Sequence, residues 1–192
     1  MICMARPRAF DEDQVLTSAM HAFRHGGYAR LTIGELERAT GLRASSIYNA
    51  YGDKAGLFTR ALRHYVDTFV GPRLEVHAGE GARLEDLEQL FLSILEPPYD
   101  DGGGCLVTNS AAEFGAGSMA APAVRAAIET VERHVAEVLQ RELGSAAEAP
   151  TLALLYQGLL VLSRAGLTDD RHRQAVREQF ARLRAAREGA TR

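Results

Sequence analysis

Apolar residues recur at helical spacing along most of this chain, with polar positions between them. The longest such segment covers residues 123–143, and shorter ones cover residues 15–23, 57–69 and 84–95. Almost nowhere do Val, Ile and Thr alternate with polar residues as a half-buried strand requires. The pattern therefore predicts an all-α protein.

The segment over residues 32–58 predicts a helix-turn-helix. Thr32 and Glu35 have the spacing of a capping box at the start of a helix. Gly41 suits the left-handed residue that ends this short helix, and Ile47 supplies a core position one turn into the next one. Two short helices joined by a glycine turn are typical of this motif. The apolar side of the first helix is expected to consist of Ile33, Leu36 and Ala39.

The second helix of the pair would present small and polar residues outward. Small side chains let a helix approach the floor of a DNA major groove, whereas Tyr48 and Asn49 could reach phosphates or base edges. Asp53 suits an N-cap, and Lys54 beside it would lie at a helix N-terminus, which favours a phosphate. The predicted DNA-binding residues are Thr32, Arg43, Ala44, Ser45, Ser46, Tyr48, Asn49 and Lys54.

This segment resembles the N-terminal DNA-binding region of the TetR family of bacterial transcriptional repressors. Arg43 departs from the family pattern, which usually has a serine there that caps the recognition helix. Either Arg43 contacts DNA and the cap comes from elsewhere, or the helix begins later with Ser45 as its cap. The resemblance implies a repressor that a small-molecule inducer releases from a palindromic double-stranded DNA operator. It is carried by Thr32, Leu36, Ala39, Gly41, Leu42, Ile47, Tyr48, Tyr51, Lys54 and Leu57.

The chain is predicted to form two domains. Residues 1–52 would be a three-helix, helix-turn-helix DNA-binding domain, and residues 53–192 a larger helical domain for ligand binding and dimerisation. Residues 53–71 would form a connecting helix that acts as a lever between the two. We expect this helix to end near Gly71-Pro72, because glycine and proline commonly break helices.

The last two predicted helices indicate a subunit interface. The helix over residues 151–167 is apolar nearly all round, so it must be covered on more than one side. Together with the helix over residues 169–187 it would supply the interface, at which we expect Leu159 and Phe180. In the TetR family the two final helices pair with their two-fold mates as a four-helix bundle, so the resemblance implies a homodimer.

A polar row in the second domain is the candidate ligand site. Cys105, Asn109 and Glu113 stand at i, i+4 spacing and share one face of a predicted helix. This row either lines a cavity or forms hydrogen bonds between helices, and both interpretations stay open. If Glu113 is buried, a cationic or amphipathic ligand is favoured. The predicted ligand-binding residues are Tyr65, Phe69, Phe91, Cys105, Thr108, Asn109, Glu113 and Tyr156.

Charge is distributed unevenly along the chain, whose net charge is -3. Residues 1–70 carry nine Lys and Arg against seven Asp and Glu, and residues 71–192 carry 13 against 18. Positive charge is thus concentrated at the end where DNA binding is predicted.

The sequence predicts neither a metal site nor a cofactor. Cys3 and Cys105 lack the spacing of a metal site or a disulfide framework. The N-terminus lacks the apolar core of a signal peptide, and the longest apolar run, residues 152–162, is too short to span a bilayer. A cytoplasmic protein that does not enter membranes is expected.

Two rival functions rest on Cys105. An enzyme with Cys105 as nucleophile is disfavoured, because no histidine lies within a helical turn of it in the sequence; no catalytic residue is predicted. A repressor that senses oxidants or electrophiles through Cys105 remains the alternative to ligand binding.

Overall fold

The computed structural model describes residues 10–96, 101–115, 117–118 and 120–190, and these residues form helices and connecting turns without strands. The predicted all-α class is confirmed. The α-helices are α1 (Glu12–Gly26), α2 (Ile33–Thr40), α3 (Ala44–Tyr51), α4 (Lys54–Tyr65), α5 (Gly71–Ala78), α6 (Leu84–Leu92), α7 (Leu106–Glu113), α8 (Ala121–Leu143), α9 (Ala149–Arg164) and α10 (Asp170–Ala190).

Helices α1 to α3 form a three-helix unit whose boundaries follow local signals. Asp11 caps α1 by accepting from the backbone N–H groups of Asp13 and Gln14. Both hydrogen bonds of the Thr32–Glu35 capping box are present at the start of α2. Gly41 ends α2 with φ 70°, the left-handed conformation that glycine adopts without steric cost.

The buried side of α2 is narrower than the sequence suggested. Leu36 is fully buried and Ile33 is partly buried, but Ala39 is exposed. Including Ala39 in the apolar side was wrong, because α2 is only eight residues long and its last turn already faces solvent.

Helices α4 and α5 form one continuous helical segment, so the expectation that it ends near Gly71-Pro72 was wrong. A single π-helical turn, Val66–Val70, joins them, and the Gly71 N–H donates to the carbonyl of Val66. Pro72 has no N–H and would clash in a regular helix, whereas a widened turn relieves that conflict. The helical path therefore passes through the proline and continues to Ala78.

The connecting segment packs against both ends of the molecule. Helix α4 lies along α1, where Thr17 Oγ1 is 2.9 Å from His64 Nε2, and α5 lies against α6 and α8. The two-domain division after residue 52 stays a prediction, since α4 shares its buried face with the N-terminal unit.

The larger region is built around α6, which continues into a short 3₁₀ turn, Ser93–Leu95. Phe91 of α6 packs edge-on against Tyr156 of α9 and Phe180 of α10, with ring centroids 5.4 and 5.2 Å apart. Helix α7 lies between the two ends of the molecule and contacts α1, α4, α8 and α9. Within the described ranges, the helices lack the combination of length and apolarity that crossing a membrane requires.

Leu159 and Phe180 are core residues of this chain, so their expected position at a subunit interface was wrong. Phe180 is 0% exposed and Leu159 is 3% exposed within the single chain. The chain's own α6 and α8 cover that side of the last two helices. The apolar side chains of α9 left uncovered are Leu154 and Val161.

Candidate functional site

Helix α3 presents a polar surface on a small apolar base. Ile47 and Tyr51 point into the core, and Ala44 and Ser46 are partly buried. The exposed residues of this surface are Arg43, Ser45, Tyr48 and Asn49. The structure thus brings the six predicted α3 residues to the first two turns of one short helix and its N-terminus.

The cap of α3 comes from α2. Arg43 occupies the N-cap position, and its side chain makes no capping hydrogen bond. Instead the carboxylate of Glu37 accepts from the Ala44 N–H at 2.5 Å. The sequence left open whether the cap comes from another residue or the helix begins later with Ser45 as its cap. In the structure the cap comes from Glu37, and Ser45 lies inside the helix. The sequence signal for Glu37 was an acidic residue seven positions before the capped amide.

The other two predicted DNA contacts, Thr32 and Lys54, lie at the start of α2 and α4. The Thr32 hydroxyl donates to Glu35 at 2.8 Å as part of the capping box. The Lys54 ammonium lies 4.5 Å from the centre of the Tyr28 ring, a cation–π geometry. Asp53 caps α4 through the Gly56 N–H at 2.7 Å.

The polar row of α7 bonds distant parts of the chain together. Thr108 donates to the Gln157 amide oxygen of α9 at 2.8 Å. Asn109 donates to the carbonyls of Arg24 and Gly103 at 3.1 and 2.8 Å. Of the two interpretations of this row, hydrogen bonding between elements is therefore present.

Glu113 holds the turn that follows α1. Its two carboxylate oxygens accept from the N–H groups of Tyr28 and Ala29 at 2.8 and 2.5 Å. Gly27 makes this approach possible, because it has φ 75° and a Cβ there would lie 3.3 Å from the carboxylate. Glu113 is exposed, so the condition for favouring a cationic or amphipathic ligand, a buried Glu113, is not met.

A buried arginine, which sequence reasoning missed, ties α1 to the loop before α7. Arg24 is 3% exposed, and its guanidinium pairs with Asp101 at 2.5 Å and donates to the Gly104 carbonyl. Partial burial opposes ionisation of Asp101, but the Gly103 N–H and the Arg24 charge together lower its pKa. The signal in the sequence was an arginine at i+4 from the buried Met20.

A cavity of about 400 Å³ lies between α7 and α8. Phe114 forms part of its wall and also packs against Tyr28 and Phe58, with ring centroids 5.1 and 5.2 Å apart. The same aromatic side chain thus touches the cavity and the N-terminal unit. The cavity is lined by Ser110, Ala111, Phe114, Gly115, Ala121, Val124, Arg125, Ile128 and Glu129.

Known proteins show what this arrangement is similar to. A family model described as "Bacterial regulatory proteins, tetR family" matches residues 15–61. Among solved structures, a cysteine mutant of the TetR family transcriptional regulator CifR, complexed with 26-bp double-strand operator DNA, is 30% identical to this chain, with a TM-score of 0.72. The match covers 92% of this chain and 98% of CifR. The chain belongs to the TetR family.

Curated relatives match about half of this TetR-family chain. The HTH-type transcriptional repressors BdcR and ComR of Escherichia coli K12 are 32% identical over 100 residues and 31% identical over 108 residues. These alignments cover 52% and 55% of this chain but only 50% and 51% of the two relatives. The chain thus spans about half the length of the curated relatives it matches.

The structure divides the ligand-binding residues predicted for this TetR-family member among several places. Cys105, Thr108 and Tyr156 meet at a narrow cavity of about 10 Å³ between α7, α8 and α9. Thr108 also borders an open groove of about 360 Å³ between α1, α7 and α9, together with Asn109 and Glu113. None of these three cavities is lined by Tyr65, Phe69 or Phe91.

The cavity between α7 and α8 was missed because its wall does not follow the polar row. Ser110 and Phe114 lie on α7 beside that row, and Val124 and Ile128 have the helical spacing of core positions on α8. Charged residues stand one position after each of those two, and this pairing of apolar and charged positions was the available signal.

Proposed function

We propose that this chain is a DNA-binding transcriptional repressor that acts as a homodimer on a palindromic operator in the cytoplasm. The observation that carries the proposal is the exposed polar surface of α3 in a chain similar to a regulator bound to operator DNA. Half-sites about one helical turn or a multiple apart, roughly 34–36 Å, are expected.

Binding to selected and random duplexes over a range of salt tests the DNA contacts. Lys54→Ala should weaken all sequences alike and reduce the salt slope by about one, because its proposed partner is a phosphate. Substitutions at Ala44 or Ser45 should instead change the preferred bases. Arg133→Ala is the matched control, since it removes the same charge from an exposed position of α8. Equal binding of selected and random DNA by the unchanged protein would refute the proposal.

The dimer is proposed to form through α9 and α10. Leu154 is 76% exposed, and Val161, two turns further along α9, is 55% exposed, which leaves an apolar side without cover from this chain. Leu154→Glu should give a folded monomer in sedimentation, because an unpaired carboxylate is costly in an apolar interface. Val76→Glu, at an equally exposed position of α5, should leave the dimer intact. A persisting Leu154→Glu dimer would place the interface elsewhere.

Release from DNA is proposed to follow from a small amphipathic molecule in the cavity between α7 and α8. The cavity has an apolar floor with Arg125 and Glu129 exposed at its edge, a combination common in small-molecule sites. An occupant that displaces Phe114 moves the aromatic cluster of the N-terminal unit. Next to it, Glu113 holds the turn between α1 and α2. Such a ligand lowers the DNA-bound population, and the size of this effect is set by how much more tightly the ligand binds the state with Phe114 displaced.

A panel of amphipathic compounds, scored for release of operator DNA, tests this route. Ile128→Trp should fill the cavity and abolish release while DNA binding persists. Glu113→Ala should keep ligand binding but weaken its coupling to DNA, because both hydrogen bonds to the turn are lost. Glu129→Gln, at the cavity edge, is the control that retains volume. If Ile128→Trp responds like the unchanged protein, the ligand binds somewhere else.

Chemical sensing through Cys105 is the second candidate. Cys105 is 5% exposed, precedes the first residue of α7 and faces a cavity with room for about one water molecule. An oxygen atom or alkyl group on its sulfur would therefore push on α7, the helix that Asn109 bonds to α1 and Glu113 bonds to the turn after α1. Cys105→Ser should keep DNA binding but lose release by peroxide or hypochlorite. If these oxidants do not release the unchanged protein, the candidate is rejected.

A further inference from the structure

At the N-terminus of α3, the residue at the N-cap position, Arg43, and the residue whose side chain caps the helix, Glu37, are different residues. Arg43 has the extended backbone of an N-cap, with φ -77° and ψ 153°, but its side chain makes no hydrogen bond to the helix. Glu37 instead supplies a hydrogen bond to this terminus from α2, by accepting from the N–H of the first helical residue, Ala44, at 2.5 Å. The side chain at position 43 is thereby released from stabilising the helix.

Arg43 is exposed, and the described part of the chain offers its guanidinium no hydrogen-bond or ion-pair partner. Residues at the N-terminus of a recognition helix are the ones that contact base edges in the major groove. The next two side chains, Ala44 and Ser45, are small, so they do not hold the helix away from the groove floor. A guanidinium at this point matches the two acceptors of guanine, O6 and N7.

A phosphate is the competing partner for an arginine, and Glu37 argues against it here. The free N–H groups at a helix N-terminus normally form an anion site that anchors a DNA phosphate. At α3 the Glu37 carboxylate already occupies the first of these N–H groups and adds a negative charge beside it. A phosphate is repelled from this position, so the base edges are the better target for Arg43.

We infer that Arg43 reads one guanine in each half-site of the operator and that Glu37, as the substitute cap, makes this possible. The inference rests on the proposed function, because it requires that the chain binds DNA through α3. Arg43 is then a specificity-determining residue, and Glu37 is a positioning residue that acts through the helix.

Selection from a random duplex library tests the assignment, with the unchanged protein and Arg43→Ser compared side by side. The unchanged protein should enrich a palindrome with one invariant guanine per half-site. Arg43→Ser should enrich the same palindrome without preference at that position and should bind the original site about 5- to 150-fold more weakly. Arg43→Lys should keep the salt dependence but lose most of the preference, since an ammonium cannot bond in bidentate fashion.

Two results would overturn the assignment. The first is that Arg43→Ser selects the same bases at every position as the unchanged protein. The second is that Arg43→Ser binds all sequences more weakly by the same factor, with a salt slope lower by about one, which marks a phosphate contact. Failure of the unchanged protein to enrich any palindrome would instead refute the proposed function, and the inference with it.

The role of Glu37 has its own readout, independent of DNA. Glu37→Ala should lower the thermal midpoint in the unchanged background, because the Ala44 N–H loses its side-chain acceptor. In the Arg43→Ser background it should lower the midpoint less, because the new serine can cap α3 itself. Equal losses in the two backgrounds would show that the residues at positions 37 and 43 do not share the cap, and would overturn the division of tasks.

Discussion

In α1, α2 and the start of α4, polar side chains bond backbone groups that lie two or three residues away, as Asp11, Thr32 and Asp53 do. In α7, Thr108 bonds Gln157 of α9, 49 residues away, and Glu113 bonds Tyr28 in the turn after α1, 85 residues away. The N-terminal helices are thus delimited by their own residues, whereas α7 is fixed by the rest of the molecule.

This difference explains which polar residues a sequence identifies well. A capping residue is recognised by its spacing to the amide it binds, so its role is visible locally. The α7 row has regular spacing too, but that spacing shows only which residues share a face. The partners at Arg24, Tyr28 and Gln157 come from two other helices and a turn. Residues that line a ligand cavity and residues that form interhelical hydrogen bonds therefore have the same spacing in the sequence.

The largest effect is expected from Phe180→Ala. This side chain is 0% exposed and packs on Phe91, so its removal should lower the free energy of unfolding by about 3–5 kcal/mol. Denaturant titration followed by circular dichroism measures the loss, and Val76→Ala at an exposed position of α5 is the control. A loss no greater than that of Val76→Ala would mean that α10 stabilises the dimer rather than the chain.

Asp101→Asn should have the next largest effect, because it removes the carboxylate that forms an ion pair with the buried Arg24 guanidinium. A cost of about 1–3 kcal/mol is expected, toward the lower end because the Asp101 side chain is 38% exposed. The pKa of Asp101 is lowered, so this contribution is present above its ordinary value of 3.8 and is lost as pH falls through the lower folded value.

Thermal unfolding between pH 7 and pH 3 measures the Asp101 effect. The difference between the unchanged protein and Asp101→Asn should shrink below about pH 4. Glu137→Gln breaks an ion pair with Arg133 on the exposed surface of α8 and should leave the midpoint nearly unchanged. A pH-independent difference for Asp101→Asn would show that the ion pair does not stabilise the fold.

The smallest effects compare the two kinds of polar contact directly. Thr32→Ala removes a local cap and Thr108→Val removes a bond between helices, and each should cost about 1 kcal/mol. Their hydrogen-exchange patterns should differ, because Thr32→Ala should loosen α2 alone, whereas Thr108→Val should loosen α7 and α9 together. If both variants loosened only their own helix, the distinction between the two regions would be wrong.

Two errors in the larger region have the same origin. Gly71-Pro72 was expected to end the connecting helix, but a π turn before it absorbs the proline, and the flanking contacts with α6 and α8 hold the path helical. Leu159 and Phe180 were assigned to an interface, yet they are buried in the chain itself. Apolar spacing shows that a side chain is buried, but it does not show whether the same chain or a second subunit buries it.

The all-α class, the helix-turn-helix, the N-caps of α2 and α4 and the resemblance to the TetR family could all be predicted from the sequence. These features depend on residues within one or two helical turns, where the spacing along the chain fixes the distances between side chains. Tertiary contacts were needed to show that Glu37 caps α3, that α7 is bonded to α1 and α9, and that a cavity opens between α7 and α8. Those features join residues from separate helices, and their contact depends on packing angles that no single helix contains.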